Sequence, residues 1–291
     1  MTKTTNKSNR KSGNSRKSQF ANVKRDFMLA LWALMIVGII LLVCNYILAR
    51  NRASNAMPAG VEAIELQNIA IPDSLPDFKI DYAGHVVYFH PQWHMPIAVA
   101  YELLDVETDG TLPRHKNFER DNAIAGSASP TDYTNSGFDR GHMAPAGDMK
   151  WDRQAMHDSF KMTNICPQNK SLNTGLWNQL EGLVRSWARR DSSLIVVCGP
   201  IVTPADTMKI GKNEVVVPGA FFKAILAPFA NPQRAIGFIF PNKRCSGKLY
   251  KYATSIDEIE ELTGLDLFFA LPDDVEEIIE ANHNYDLWTQ R

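Results

Sequence analysis

The chain has 291 residues, 45% of them hydrophobic and 22% charged, with 31 Lys and Arg against 32 Asp and Glu for a net charge of −1. That composition belongs to an ordinary globular protein of one large domain or two modest ones, and it excludes a wholly disordered chain. So balanced a charge gives no ground by itself for binding a polyanion.

Residues 1–26 carry Lys3, Lys7, Arg10, Lys11, Arg16, Lys17, Lys24 and Arg25 against Asp26 alone among a Ser, Asn and Thr background. Such a segment cannot bury a core and reads as a disordered basic tail. FMLALWALMIVGIILLVCNYILA, residues 27–49, then runs 23 residues without a charge, enough for a helix of about 20 apolar residues to cross a bilayer. A cleaved secretory signal is the alternative, but its apolar core spans only about 7–15 residues. Read as an anchor, with the basic residues in front, the segment keeps its N-terminus cytoplasmic and places the rest in the periplasm or another extracytoplasmic space.

Residues 50–74 are small and polar with two prolines and read as a linker, so the folded domain is expected over 75–291. Within it, 85–90 and 96–106 read as strands, as do the buried runs 193–199, 214–227 and 235–241. Helical periodicity marks 152–162, 174–190 and 255–264, the last with Ser255 to cap it and Gly264 to stop it. Strands and helices do not alternate regularly, which predicts an α+β fold with a central antiparallel sheet and packed helices.

Outside the apolar span lie Cys166, Cys198 and Cys245, so at most one internal disulfide can form there. Cys-based metal spacing and HExxH are both absent, and His85, His90, His94, His115, His157 and His283 read as surface or core residues, with Trp151 and Trp187 as core. Eleven Lys and Arg face eight Asp and Glu over 112–190, whereas 257–291 holds eleven acids and one Arg. This asymmetry is modest, and a solvated surface explains it equally well.

GFDRGHMAPAGDM, residues 137–149, is harder to explain by packing. Asp139, Arg140 and His142 stand within four positions in a Gly-, Pro- and Ala-rich loop, where each would need its own partner if buried. Downstream, TNICPQNKSLNTGLWNQLE (163–181) holds Asn164, Asn173 and Glu181. Asn173 stands at a helix start with Trp177 and Glu181 at steps of four, so one helical side can offer an amide oxygen and a carboxylate to one point. Taken singly, Asn173 reads as an N-cap and Glu181 as an exposed helix residue. Taken with the tetrad, they suit Mg2+, which keeps its waters and accepts phosphate oxygens, better than Ca2+ or Zn2+. A histidine base, a metal-polarised phosphate and a guanidinium together point to phosphodiester hydrolysis.

DRGHMAPAGDM followed by TNICPQNKSLNTGLWNQLE resembles the DNA/RNA non-specific endonuclease family, the endonuclease G-like ββα-metal nucleases. The segments MPIAVAYELL, VPGAFFKAIL, AIGFIFPN and IDEIEELTGLDLFFALPD extend the likeness over about residues 75–290. The resemblance implies His142 on a hairpin strand as general base and Asn173 on the following helix as the direct ligand of Mg2+, with Mn2+ as a substitute. Glu181 would hold metal-bound waters, Arg140 would contact the scissile phosphate, Asn164 would shape the site and Asp139 would orient its neighbours. A second phosphate-binding arginine is assigned to Arg114, with Arg120 as the alternative. Implied partners are DNA and RNA, cut to leave a 5′-phosphate, besides the membrane through 27–49; a homodimer is compatible with these segments but not fixed by them. A non-cutting nucleic-acid-binding module and a phosphodiesterase for smaller substrates are the competing readings.

Overall fold

The computed structural model describes residues 28, 29, 32, 34–41, 43, 44 and 62–289. The chain falls into two compact units, Met1–Arg50 and Asn51–Arg291. In the first, the described residues are helical, and apolar side chains such as Trp32 and Leu34 are exposed. Among the described residues no helix is long and apolar enough to cross a membrane. The expected basic tail, parts of the expected 27–49 span and the start of the expected linker lie outside the described residues.

The second unit is built on a seven-stranded sheet. From one edge to the other its strands are Ala253–Thr254, Arg234–Pro241, Ala220–Ala227, Ser193–Ile201, Met95–Leu104, Val86–His90 and Lys79–Asp81. Every neighbouring pair is antiparallel. The central strands are almost wholly apolar, broken chiefly by Glu102 and Lys223, because both faces are covered. Val99, Tyr101, Val196, Phe221 and Ile225 enter one core with the helix Asn178–Asp191. Their alternating neighbours Ala98, Ala100, Val197, Phe222 and Leu226 pack on the other face against Ile256, Ile259 and Ile279 of the helices Ile256–Thr263 and Asp273–Glu280. This is the expected α+β fold with a central antiparallel sheet.

Four local readings change. The fold starts upstream of residue 75: Leu66 and Ile69 are buried, and Ile69–Ala70 pairs antiparallel with Asp266–Leu267, so 62–74 is part of the domain rather than linker. The run 214–227 breaks into Val215–Val216 and Ala220–Ala227, because Pro218 has no N–H for a ladder. The helix expected over 152–162 spans only Arg153–Asp158, capped by the Asp152 carboxylate, which accepts from Gln154 N at 2.7 Å and Ala155 N at 2.9 Å. Trp151, expected in the core, is 38% exposed in the turn before that cap, whereas Trp187 is buried as expected. Ser255 and Gly264 act as read: the Ser255 hydroxyl accepts from Glu258 N at 3.1 Å, and Gly264 leaves the helix at φ 73°. All four cysteines are free.

Candidate active site

Asp139–His142 is a strand, not a loop, and it pairs antiparallel with Ile165–Gln168 in a hairpin of its own, His142 opposite Ile165 and Gly141 opposite Cys166. A side chain at Gly141 would collide with Gln168, which explains the glycine between Arg140 and His142. The hairpin leads into a helix capped by Asn169, whose side chain accepts from Ser171 N at 3.0 Å. Asn173 therefore does not cap. It opens a wide turn, Asn173–Trp177, in which Gly175 leaves helical geometry (φ −102°, ψ −115°), before the regular helix Asn178–Asp191 begins. Such a π turn inserts one residue into the helical register and is found frequently at functional sites.

The strand Asp139–His142, the turn after it, the start of the helix and the segment of Arg114 thus line one cavity of about 350 Å3, whose lining includes Arg114, Arg140, His142, Asn173, Glu181 and Arg185. Arg120 is not part of that lining, which leaves Arg114 as the upstream arginine at the site. Three arginines and one acidic residue, Glu181, contribute to the lining.

His142 is 7% exposed and packs against the rings of Phe118 (5.2 Å between centroids) and Phe160 (4.8 Å), which also touch each other, and its Nε2 has no hydrogen-bond partner. Burial, reinforced by the charge of Arg114, pushes its pKa down to about 3, so the imidazole is neutral at pH 7. A neutral ring is what a proton acceptor requires. Arg140 donates to Pro130 O through Nε (3.2 Å) and Nη2 (2.6 Å) and lies 5.5 Å from the Phe118 ring. Arg114 lies 5.0 Å from the ring of Phe160.

Asn173 donates through Nδ2 to Asp139 Oδ2 at 2.9 Å, which leaves its carbonyl oxygen to face elsewhere. Burial raises Glu181 to about 7, opposed by the positive charges of Lys223, Arg185 and Arg114. An amide oxygen and a carboxylate in a polar cavity roomy enough for water are hard oxygen donors, and they fit a hydrated hard divalent cation. Asn164 does not line the cavity. Fully buried, it accepts from Ala144 N at 2.9 Å and donates to Ala144 O (2.9 Å) and Ser159 O (2.8 Å), clasping the chain just after His142.

Four contributors carry no role in the sequence reading. Arg185 donates to the buried Asp148 at 2.6 Å, and Asp148 accepts from Tyr101 OH at 2.9 Å, so this trio backs the cavity wall beside Glu181. Arg185 stands four residues after Glu181, and Asp148 is the last charged residue of GFDRGHMAPAGDM, so both signals were present. Lys223 is fully buried on the central sheet, 4.6 Å from the Trp177 ring, and only the three-dimensional fold brings it under Glu181.

Residues 66–274 match the family described as DNA/RNA non-specific endonuclease. The chain belongs to that family. Among the relatives of this family member, the mitochondrial nuclease EXOG of Xenopus laevis is 36% identical over 205 residues, 65% of this chain and 57% of that protein. Mitochondrial endonuclease G of Bos taurus is 32% identical over 223 residues, 72% of this chain and 74% of that protein. The chain therefore spans little more than half the length of the EXOG relatives it matches. A crystal structure of an EndoG/EndoGI complex, concerned with the mechanism of EndoG inhibition, aligns with a TM-score of 0.65 at 25% identity, over 74% of this chain and 95% of that one. The ββα arrangement around His142 and Asn173 is the one the family resemblance implied.

Proposed function

We propose that the chain is a Mg2+-dependent endonuclease that hydrolyses DNA and RNA phosphodiester bonds without sequence specificity. One observation carries the reading: a neutral His142 with an unpartnered Nε2 stands in the same cavity wall as Asn173, Glu181 and three arginines. Family membership and the EXOG and endonuclease G relatives support it.

Asn173 and Glu181 would hold the hydrated ion, which when bound polarises the phosphate and offsets its charge. His142 accepts a proton from the attacking water at Nε2, and its packing against Phe118 and Phe160 restrains the ring. Arg140 and Arg114 face the charge that grows on the phosphate oxygens, each held against an aromatic ring. Asp139 orients the Asn173 amide. Residues 27–49 as a membrane anchor, with the catalytic unit on the extracytoplasmic side, belong to the same proposal and rest on the apolar run and the basic residues before it.

The test is cleavage of supercoiled plasmid and single-stranded RNA by the full chain, in Mg2+ or EDTA, beside His142→Ala. Mg2+-dependent loss of both substrates, absent in the variant, is expected. Binding without cutting by a folded protein would favour a binding module, and neither would leave a phosphodiesterase of small substrates.

A further inference from the structure

We infer that His115, Glu119 and His157 form a second metal site, separate from the Asn173 and Glu181 pair, that takes a borderline transition-metal dication of the Zn2+ type. Their ligand atoms all lie within 4.8 Å of one another. His157 Nε2 is 3.3 Å from Glu119 Oε2, and His115 Nε2 is 3.7 Å from Glu119 Oε1. Ligands about 2.0–2.1 Å from a tetrahedral ion stand roughly 3.3 Å apart, so His157 and Glu119 already have that spacing, and a small rotation of the Glu119 carboxylate and the His115 ring closes the set. Two imidazoles and one carboxylate are the donor set of open zinc sites, whereas Mg2+ prefers oxygen donors.

The supports are built in. Glu119 is fixed by its backbone, which donates to Phe160 O at 3.1 Å and accepts from Met162 N at 2.9 Å. His157 sits on the helix Arg153–Asp158, with Nδ1 3.5 Å from the Asp158 carboxylate, the side on which a ligating histidine donates its second N–H. His115 Nε2 is buried without a hydrogen-bond partner, because the 3.7 Å to Glu119 is too long. The side chains are 31–42% exposed, and an adjoining cavity of about 450 Å3, lined in part by Arg114, Arg153 and Met156, leaves room for entry and for a fourth ligand. Lys161, 3.5 Å from Glu119 Oε2, is the resident cation that an incoming dication must push aside.

The consequence reaches the cavity next door. His115 follows Arg114 directly, and an ion shared with His157 ties the arginine's segment to the helix. HExxH spacing could not reveal the cluster, since residues 112–118 adopt no regular structure and His157 arrives from a distant element.

The experiment is calorimetric titration of the full chain, purified in mild detergent and stripped of metal, with Zn2+ alone, beside His157→Ala, Glu119→Gln and Asn173→Ala. One equivalent of Zn2+ at micromolar affinity or tighter is expected, weakened at least about 10-fold by His157→Ala and Glu119→Gln and kept by Asn173→Ala. In the unmutated chain, two imidazole NMR signals should shift together with the first equivalent. Binding that survives both cluster variants, that is lost with Asn173→Ala, or that leaves every imidazole unmoved overturns the site. Because the readout is metal binding, it stands or falls apart from the nuclease reading.

Discussion

Asn173 hands its amide protons to Asp139, Nδ2 to Oδ2 at 2.9 Å, and that bond decides which end of the amide is left for a cation. Asp139→Ala should therefore reduce Mg2+ affinity and activity by roughly 10–100-fold, less than Asn173→Ala, because the amide loses its orientation but keeps its oxygen. Activity against Mg2+ concentration for the two variants checks this; equal, unshifted curves would remove Asp139 from the site.

His142→Ala should lower kcat by roughly 100- to 10,000-fold. The melting temperature should fall by several degrees, through lost packing on Phe118 and Phe160 and not through any hydrogen bond to Nε2, with the folded state kept. Single-turnover cleavage with a parallel thermal melt separates the two effects, and a collapse of both together would make His142 structural.

The two upstream arginines should differ. Arg114→Ala removes a guanidinium from the cavity wall and should raise KM for nucleic acid several-fold, whereas Arg120→Ala, outside the lining, should leave it unchanged. Steady-state kinetics at one fixed salt concentration discriminates them.

Asn164→Ala is a stability prediction first. It strands Ala144 N, Ala144 O and Ser159 O in the interior, a loss on the order of 3 kcal/mol, or roughly 6–12 °C in Tm for a domain of this size. Calorimetry reads it directly.

Glu280 supplies a pH dependence away from the site. Burial, with Glu260, Glu276, Asp257 and Asp266 around it, raises its pKa from 4.5 to about 9. A carboxyl raised on folding leaves stability intact below about pH 4.5 and erodes it as pH rises through about 9, because ionising it costs more in the fold than in the open chain. Glu280→Gln should thus raise Tm at pH 9 and change it little at pH 5.

The parts of this protein legible in its sequence are those set by local rules. Ser255 and Gly264 bound their helix because capping needs only neighbouring residues, and largely apolar runs became central strands because both faces of the sheet are covered. The DRGH run was readable as chemistry, but its strand came only from the family resemblance and not from its own residue pattern: its partner, Ile165–Gln168, lies across a helix and a turn. Asn173 looked like a cap because Asn169, four residues earlier, competes for the same role, and only the fold shows which one wins. Lys223 and the pairing of Ile69 with Leu267 depend on contacts between distant segments, which no periodicity encodes.

The alternation of side chains through the central sheet has an electrical consequence. Its Val99 and Phe221 side carries the helix that holds Arg185 and, with the hairpin of Arg140 and the segment of Arg114, the cavity, while its Ala98 and Phe222 side carries the acidic helices Ile256–Thr263 and Asp273–Glu280. The sheet thus keeps a cavity lined by three arginines and the acidic helices on opposite sides of one apolar layer, so the molecule is polarised across its thickness.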